Sequence, residues 1–574
     1  MNPPKPPGQR GEFEKMTIRN SLARNAAMGV LLAAVAAGAV QAKTVRHHHR
    51  AAATTGESSA AVQSEISELR AQVEALKTWR ESQAANQAQA DAQLAQVKAQ
   101  LADAQARVQA TQARLDAQID TIPGTVQTAV AAAAPKTDKL YVKGVSVTLG
   151  GFVAAESVTR SRNEVADIAS SFGAIPFGAS TVGHTNETHL TARQSRISGL
   201  VQGDLSDSIH LAGYTEVDFL GAAQTANSNE TNSYTPRMRV FYTTIDWDRD
   251  FGGLHLLAGQ NWSLATMNTN GITPRSENPP LSIDAQYVPG FVFARQPQVR
   301  FTADIDKKIW FAVSLENPQT TYYNSGKLLP GVSVLTNGAA GSGYNSANSL
   351  SINRVPDVIG KVALQGDLGG HALHIEGFGI YRDFYARVNN GGTSGNESTS
   401  GGGVGGGVEF ALLPKVLDLQ ASGIWGRGVG RYGASQLPDA TLSVDGTLHP
   451  IDEWAALVGG TFHVNPNLDI YAYAGEERER QTAYTSGTIF NGVGNEGYDN
   501  TGCDTEGATN CVGNTRLVEQ ATVGFWDKPY IGRFGKIQWG VQYSYTERHA
   551  FDGKGAAPVT NDNMVFTSIR YYPF

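Results

Sequence analysis

From 140 to 574 the chain is a succession of amphipathic segments, each about 9–14 residues long, joined alternately by short turns and long polar loops. It ends on an aromatic residue, Phe574. This rhythm constrains the fold more than any other feature. In lipid every backbone N–H and C=O must be paired within the protein, and a closed β-barrel is one of two ways to do so. A soluble sandwich has no reason for the two-step alternation of loop lengths. The expectation is an all-β transmembrane barrel of about sixteen antiparallel strands, preceded by an α-helical coiled-coil segment.

Sixteen strands are expected near 145–158, 188–205, 209–220, 234–247, 254–262, 293–305, 308–316, 357–368, 372–385, 402–413, 417–431, 454–464, 468–479, 516–526, 536–547 and 563–574. Connections after even strands are short, as in Asp306-Lys307 and Pro414-Lys415; those after odd strands run long, as in 263–292 and 317–356. Alternation assigns the faces. Ile537, Trp539, Val541, Tyr543 and Tyr545 are expected towards lipid, and Lys536, Gln538, Gln542, Ser544 and Thr546 towards the lumen. In the fourth strand Met238, Val240 and Tyr242 are expected outside, with Arg237, Arg239 and Phe241 inside. Arg193 and Arg196 have opposite parity, so both face the lumen only if a bulge intervenes. The last strand admits two phases: counting back in twos from Phe574 turns Arg570 to lipid, whereas counting from Tyr571 turns Ile569, Thr567 and Val565 there.

The long apolar run at 26–42, preceded by Arg19 and Arg24 and ending in small residues, reads as a secretory signal peptide. Met16 is the better start, which makes 1–15 an upstream extension. The domain reading is then 1–42 extension and signal, 43–61 flexible, 62–120 periplasmic coiled coil, 121–139 linker and 140–574 barrel. Apolar residues at Val62, Ile66, Leu69, Val73 and Leu76 alternate in steps of four and three, and the phase resumes from Ala90 to Leu115, about eight heptads in one register. Ile122-Pro123-Gly124 breaks it. His47-His48-His49 reads as part of a flexible basic tail, and no metal or cofactor is expected.

Lys and Arg total 46 against 53 Asp and Glu, a net charge of −7, which leaves no footprint for nucleic acid. Cys503 and Cys511 share one polar loop, and an exported protein meets an oxidising compartment, so a disulfide between them is expected. No Ser stands beside a His in a defensible catalytic pattern, and the length does not supply the plug and roughly 22 strands of an active transporter.

Ala192-Arg193-Gln194-Ser195-Arg196, Gly259-Gln260-Asn261-Trp262 and Phe293-Ala294-Arg295-Gln296-Pro297-Gln298-Val299-Arg300, set in this layout, resemble the DcaP-like trimeric porin family of Gram-negative outer membranes. The resemblance implies a homotrimer in the outer membrane, in contact with its lipid and lipopolysaccharide, with N-terminal helices in a periplasmic coiled coil. It also implies passive uptake of small anionic solutes such as dicarboxylates. A pore needs a constriction that selects by charge and width. The loop 263–292 is the expected constriction; Pro279-Pro280 and Pro289-Gly290 stiffen it, and it carries Arg275, Glu277 and Asp284. Arg237, Arg239, Arg300, Arg193 and Lys536 complete the expected lining, with Glu216 and Asp218 as wall partners for the arginines. The run Glu476-Glu477-Arg478-Glu479-Arg480 ends the thirteenth strand at the outer rim and reads most plainly as a solvated strand end; steering ions, or binding divalent cations or lipopolysaccharide, is the alternative. The rival reading is an envelope tether. Residues 62–115, at 1.5 Å per residue, would reach roughly 80 Å towards the cell wall, with a nonspecific pore secondary.

Overall fold

The computed structural model describes residues 139–574, except 222–228, 230, 233, 324, 339–349 and 556, together with scattered residues between 67 and 110. Those scattered residues are all helical and exposed, with ion pairs of Lys77 to Glu74 and of Arg107 to Asp103, three and four residues apart. Coiled-coil pairing, the signal peptide and the 43–61 segment all lie outside the described residues.

Sixteen antiparallel strands form the wall: β1 (Val145–Arg160), β2 (Arg196–Ser206), β3 (Ile209–Asp218), β4 (Arg237–Arg249), β5 (Gly252–Trp262), β6 (Arg295–Ile305), β7 (Ile309–Glu316), β8 (Asp357–Leu368), β9 (His371–Asn390), β10 (Thr393–Leu413), β11 (Leu417–Arg427), β12 (Asp452–Asn465), β13 (Leu468–Glu479), β14 (Thr515–Gly532), β15 (Gly535–Ala550) and β16 (Val559–Tyr572). Each pairs with its neighbour, and β1 pairs with β16, from Val153↔Tyr571 to Arg160↔Met564, which closes the barrel. Closure removes both sheet edges and satisfies the ladder throughout. Turns after even strands take two or three residues; among odd connections, 161–195, 263–294, 317–356 and 480–514 are long. Taking the short turns as the periplasmic side puts the long loops outside the cell.

The outward face carries an apolar band. Phe311, Val313 and Leu315 on β7 and Ile537, Trp539 and Tyr543 on β15 are exposed, while Gln538, Gln542, Ser544 and Thr546 are buried inside. Trp539 meets Phe525 edge-on at 5.0 Å near the short-turn end, where an interfacial aromatic girdle belongs.

Four details differ from strict alternation. On β4 Arg239 is the extra residue of a bulge: Met238 pairs with Val217 and Val240 with Glu216. Arg237 and Arg239 both turn inward, but the phase then flips, so Val240 and Tyr242 are buried and Phe241 faces out. On β2 the chain leaves the ladder between Thr191 and Arg196, so Glu187–Thr191 forms a separate upper half. On β16 the phase counted from Tyr571 holds: Ile569 and Val565 are exposed and Arg570 is buried inside. Finally, β9 and β10 do not stop at the membrane. They continue as a long ribbon to a Gly391-Gly392 tip, both at positive φ, as a tight hairpin turn demands.

Candidate pore constriction

The connection from β5 to β6 folds into the barrel and crosses it. Its backbone is held by inward-facing side chains around most of the wall. On one side, Lys361 Nζ on β8 donates to Thr266 O at 2.7 Å, and Glu376 on β9 accepts Asn268 N at 3.1 Å. Further along, Asn278 donates to Glu409 on β10 and accepts at its carbonyl from Gln420 on β11. At the far side, Tyr473 OH accepts Leu281 N, Trp526 Nε1 donates to Leu281 O, Gln542 accepts Ile283 N, and Gln194 Nε2 donates to Ile283 O. On the way back Glu477 accepts Gly290 N at 2.8 Å. Ile283, Val288 and Phe291 are fully buried in the cluster that fills the lumen on that side. The close approach at Gly290 requires glycine: φ is +92°, and a Cβ there would lie 2.0 Å from Ala456 O.

The loop leaves space against the wall of β2–β7. A cavity of about 210 Å³ is bounded by Tyr242, Asp246, His255, Thr302 and Trp310 on the strands and by Ile272 to Arg275 on the loop, with Arg300 at its edge. Arg275 is exposed, has φ +68°, and lies over the Tyr214 ring at 5.7 Å. Arg300 is buried and donates to Gln298 Oε1 at 3.0 Å and to Trp262 O at 2.6 Å. Arg295 lies over the Trp262 ring at 4.9 Å, with Nη1 buried and without a hydrogen-bond partner. Among the described residues none of these three forms an ion pair.

Arg237 and Arg239 are placed differently. Arg237 grips Asp218 with both prongs, Nε to Oδ1 at 3.0 Å and Nη2 to Oδ2 at 2.7 Å. Arg239 bridges Glu216 at 2.6 Å and Asp218 at 2.9 Å and is nearly inaccessible, whereas the Arg237 side chain keeps 36% of its surface. Arg196 adds a longer contact to Glu216, 3.6 Å. The β4 bulge and the β2 break bring these guanidiniums to one wall.

The other expected residues lie elsewhere. Asp284 is buried between loops, where its Oδ1 accepts Ser170 N and Gln286 N. Glu277 has a buried Oε1 without a partner. Arg193 braces the upper wall: it donates to Asp167, Phe219 O and Gly221 O and stacks on Tyr234 at 3.6 Å. Lys536 sits beside the short turn before β15, over the Tyr572 ring at 4.1 Å. Cys503 and Cys511 are disulfide-bonded in the outer loop after β13. Arg196 and Arg295 were not expected in the lining. Both stand in the motifs quoted above, and the signal that reveals them is the break in β2 and the inward turn at the start of β6, neither of which parity can show.

No protein-family model and no curated protein matches the chain. Solved structures do. The outer membrane channel DcaP of Acinetobacter baumannii aligns with TM-score 0.53 and 21% identity over 75% of this chain and 99% of that one. The barrel has the DcaP channel fold. More distant structures include an anion-selective porin from Comamonas acidovorans (TM-score 0.38, 10% identity, 75% of this chain and 99% of that one) and the trimer form of OmpT of Vibrio cholerae (TM-score 0.38, 12% identity, 75% and 100%). In this chain that fold sets the inward-folded β5–β6 loop against the arginine-rich wall of β2–β6.

Proposed function

We propose that this protein is an outer-membrane porin, a trimeric passive diffusion channel for small anionic solutes of the dicarboxylate type. The observation that supports it is that Arg275 and Arg300, neither ion-paired to a carboxylate among the described residues, line the cavity between the inward-folded loop and the wall, with Arg295 stacked over Trp262, whose carbonyl Arg300 holds. Arginine holds its charge at any working pH and presents a planar fork to a carboxylate. A solute with two carboxylates can pass from one guanidinium to the next without ever being held by all. Such weak, serial contacts suit conduction, because a tightly bound solute does not leave. Arg237 and Arg239 spend their donors on Asp218 and Glu216 and act on the solute through the field of the wall. The trimeric state is supported by the family resemblance and by the heptad spacing of 62–115.

The test is the reversal potential of the purified protein in planar bilayers under a salt gradient, with and without succinate. Anion selectivity in three-step openings, blocked by succinate, is expected. Cation selectivity without block would overturn the arginine reading. A folded barrel with no conductance would favour the tether.

A further inference from the structure

The outward face of β11–β13 is unlike the rest of the wall. Cross-strand register aligns Trp425, Trp454 and Arg478 in one row, with Arg427 and Asp452 paired in the row above and Arg480 just beyond. Trp425 is 63% exposed. Arg478 and Arg480 are exposed and, among the described residues, ion-paired to nothing; Arg427 has only a 3.3 Å contact to the exposed Asp452. A hollow of about 570 Å³ opens here between the two tryptophans and Arg478, Arg480 and Arg516, and Arg516 Nε is buried without a partner. A second hollow of about 580 Å³ adjoins it through Trp454 and runs towards the short-turn end over Ala456, Val458 and Ala474, with Glu476, Glu519 and Glu547 along its other flank. Cationic side chains therefore crown a groove of small apolar side chains on the membrane-facing wall, at the long-loop end.

We propose that this face binds a phosphorylated lipid of the outer leaflet, of the lipopolysaccharide type. Its phosphates would sit on Arg427, Arg478 and Arg480, and its acyl chains would lie in the groove below Trp425 and Trp454. The site rests on the outer-membrane placement but not on the solute selectivity. Unpaired guanidiniums at the lipid level need an anionic partner, and phosphate accepts the arginine fork in two-pronged fashion. Tryptophan belongs at the headgroup depth that this geometry assigns. Level with Ala456, Glu476, Glu519 and Glu547 stand abreast on β13–β15 along the groove's far flank, and three carboxylates in a row repel a phosphate and keep it at the arginine end. The headgroup is thus confined to β11–β13.

The test uses the full-length protein in detergent, with retention of purified lipid A measured beside its dephosphorylated form and inorganic phosphate as competitor. Removing the three charges together (R427Q/R478Q/R480Q) is expected to weaken lipid A retention by about tenfold or more. Heat-resistant electrophoretic mobility and conductance should stay unchanged, and W454A should weaken both lipid forms. Equal retention of the dephosphorylated lipid, or undiminished retention by the triple variant, would overturn the site. Competition by millimolar inorganic phosphate would move the ligand from lipid to free anion and overturn it as a lipid site. Cross-linking of a W425C variant to a second copy would show the face to be a protomer contact and overturn it likewise.

Discussion

At the scale of residues, the lumenal arginines divide by what they already hold. Arg239 is bonded to two buried carboxylates, so replacing it leaves Asp218 to Arg237 alone and Glu216 with only the 3.6 Å contact to Arg196. R239Q is expected to destabilise the barrel by about 1–3 kcal/mol, read as a lower temperature for the mobility shift on electrophoresis. Arg275 is exposed and ion-paired to nothing among the described residues, so R275Q should leave that temperature unchanged and lower the anion-to-cation permeability ratio several-fold. A fold defect from R275Q, or intact selectivity with it, would contradict this division. The alternation of β4 in the sequence was enough to turn Arg237 and Arg239 inward. It could not show the bulge that also buries Val240 and Tyr242, because an extra residue in one strand has no composition of its own. Arg570 is similar: two phases fitted the last strand, and the buried contact of its guanidinium with Glu156 at 2.8 Å, remote in sequence, decides between them.

A second residue carries a pH dependence. Glu164, in the loop after β1, is wholly enclosed, and burial raises its carboxyl to about 7 despite Arg160 at 3.7 Å and the Ser171 N–H; Asp562 and Asp284 push the same way as burial. A folded pKa above the unfolded one means that the folded loop binds the extra proton. The stabilisation is complete below about 4.5 and is lost as pH rises through about 7. Hydrogen-exchange protection of the amides at 170–174 should therefore be higher at pH 5 than at pH 8. In E164Q that difference should vanish; its persistence would place the proton elsewhere.

At the scale of elements, a loop folded into the barrel was recognisable from its length, its prolines and its place after the fifth strand. What holds it was not. Tyr473, Trp526 and Gln542 reach the loop from strands up to 259 residues away in sequence, Gln194 reaches it from the break before β2, and nothing local marks a lumenal glutamine as a tether rather than a solvated side chain. The β9–β10 ribbon was also under-read, because its Gly-, Ser- and Asn-rich stretch looks like a loop, yet it is fully paired to its tip. The loop's anchoring makes a sharp prediction at Gly290. Alanine there meets both a left-handed φ and the Ala456 carbonyl, so G290A should lift the loop off β12. Single-channel conductance is expected to rise and succinate block to weaken, with the barrel still folded. An unchanged conductance would mean that the loop does not set the narrowest point.

At the scale of the whole molecule, the barrel was legible because two independent periods coincide: side chains alternate every residue along a strand, and connections alternate in length every strand. A chain that meets both, closes β1 on β16 and buries Gln, Ser and Thr on one face while exposing Ile, Val and Phe on the other has little other use for that pattern than a membrane. The N-terminal quarter carries a different signal, helical in the described residues, that neither the barrel nor its loops explain. Deleting 62–115 separates what it does. If the heptads assemble the channel, the truncated barrel should open in single steps instead of threes, with unchanged ion selectivity, and should run as a monomer in detergent. If they tether the envelope, three-step openings and selectivity should persist, while cells carrying the truncation lose outer membrane as vesicles. A truncated protein that still opens in threes in cells with a sound envelope would remove both roles. Because the residues proposed to select the solute all lie beyond 190, none of these outcomes should alter block by succinate.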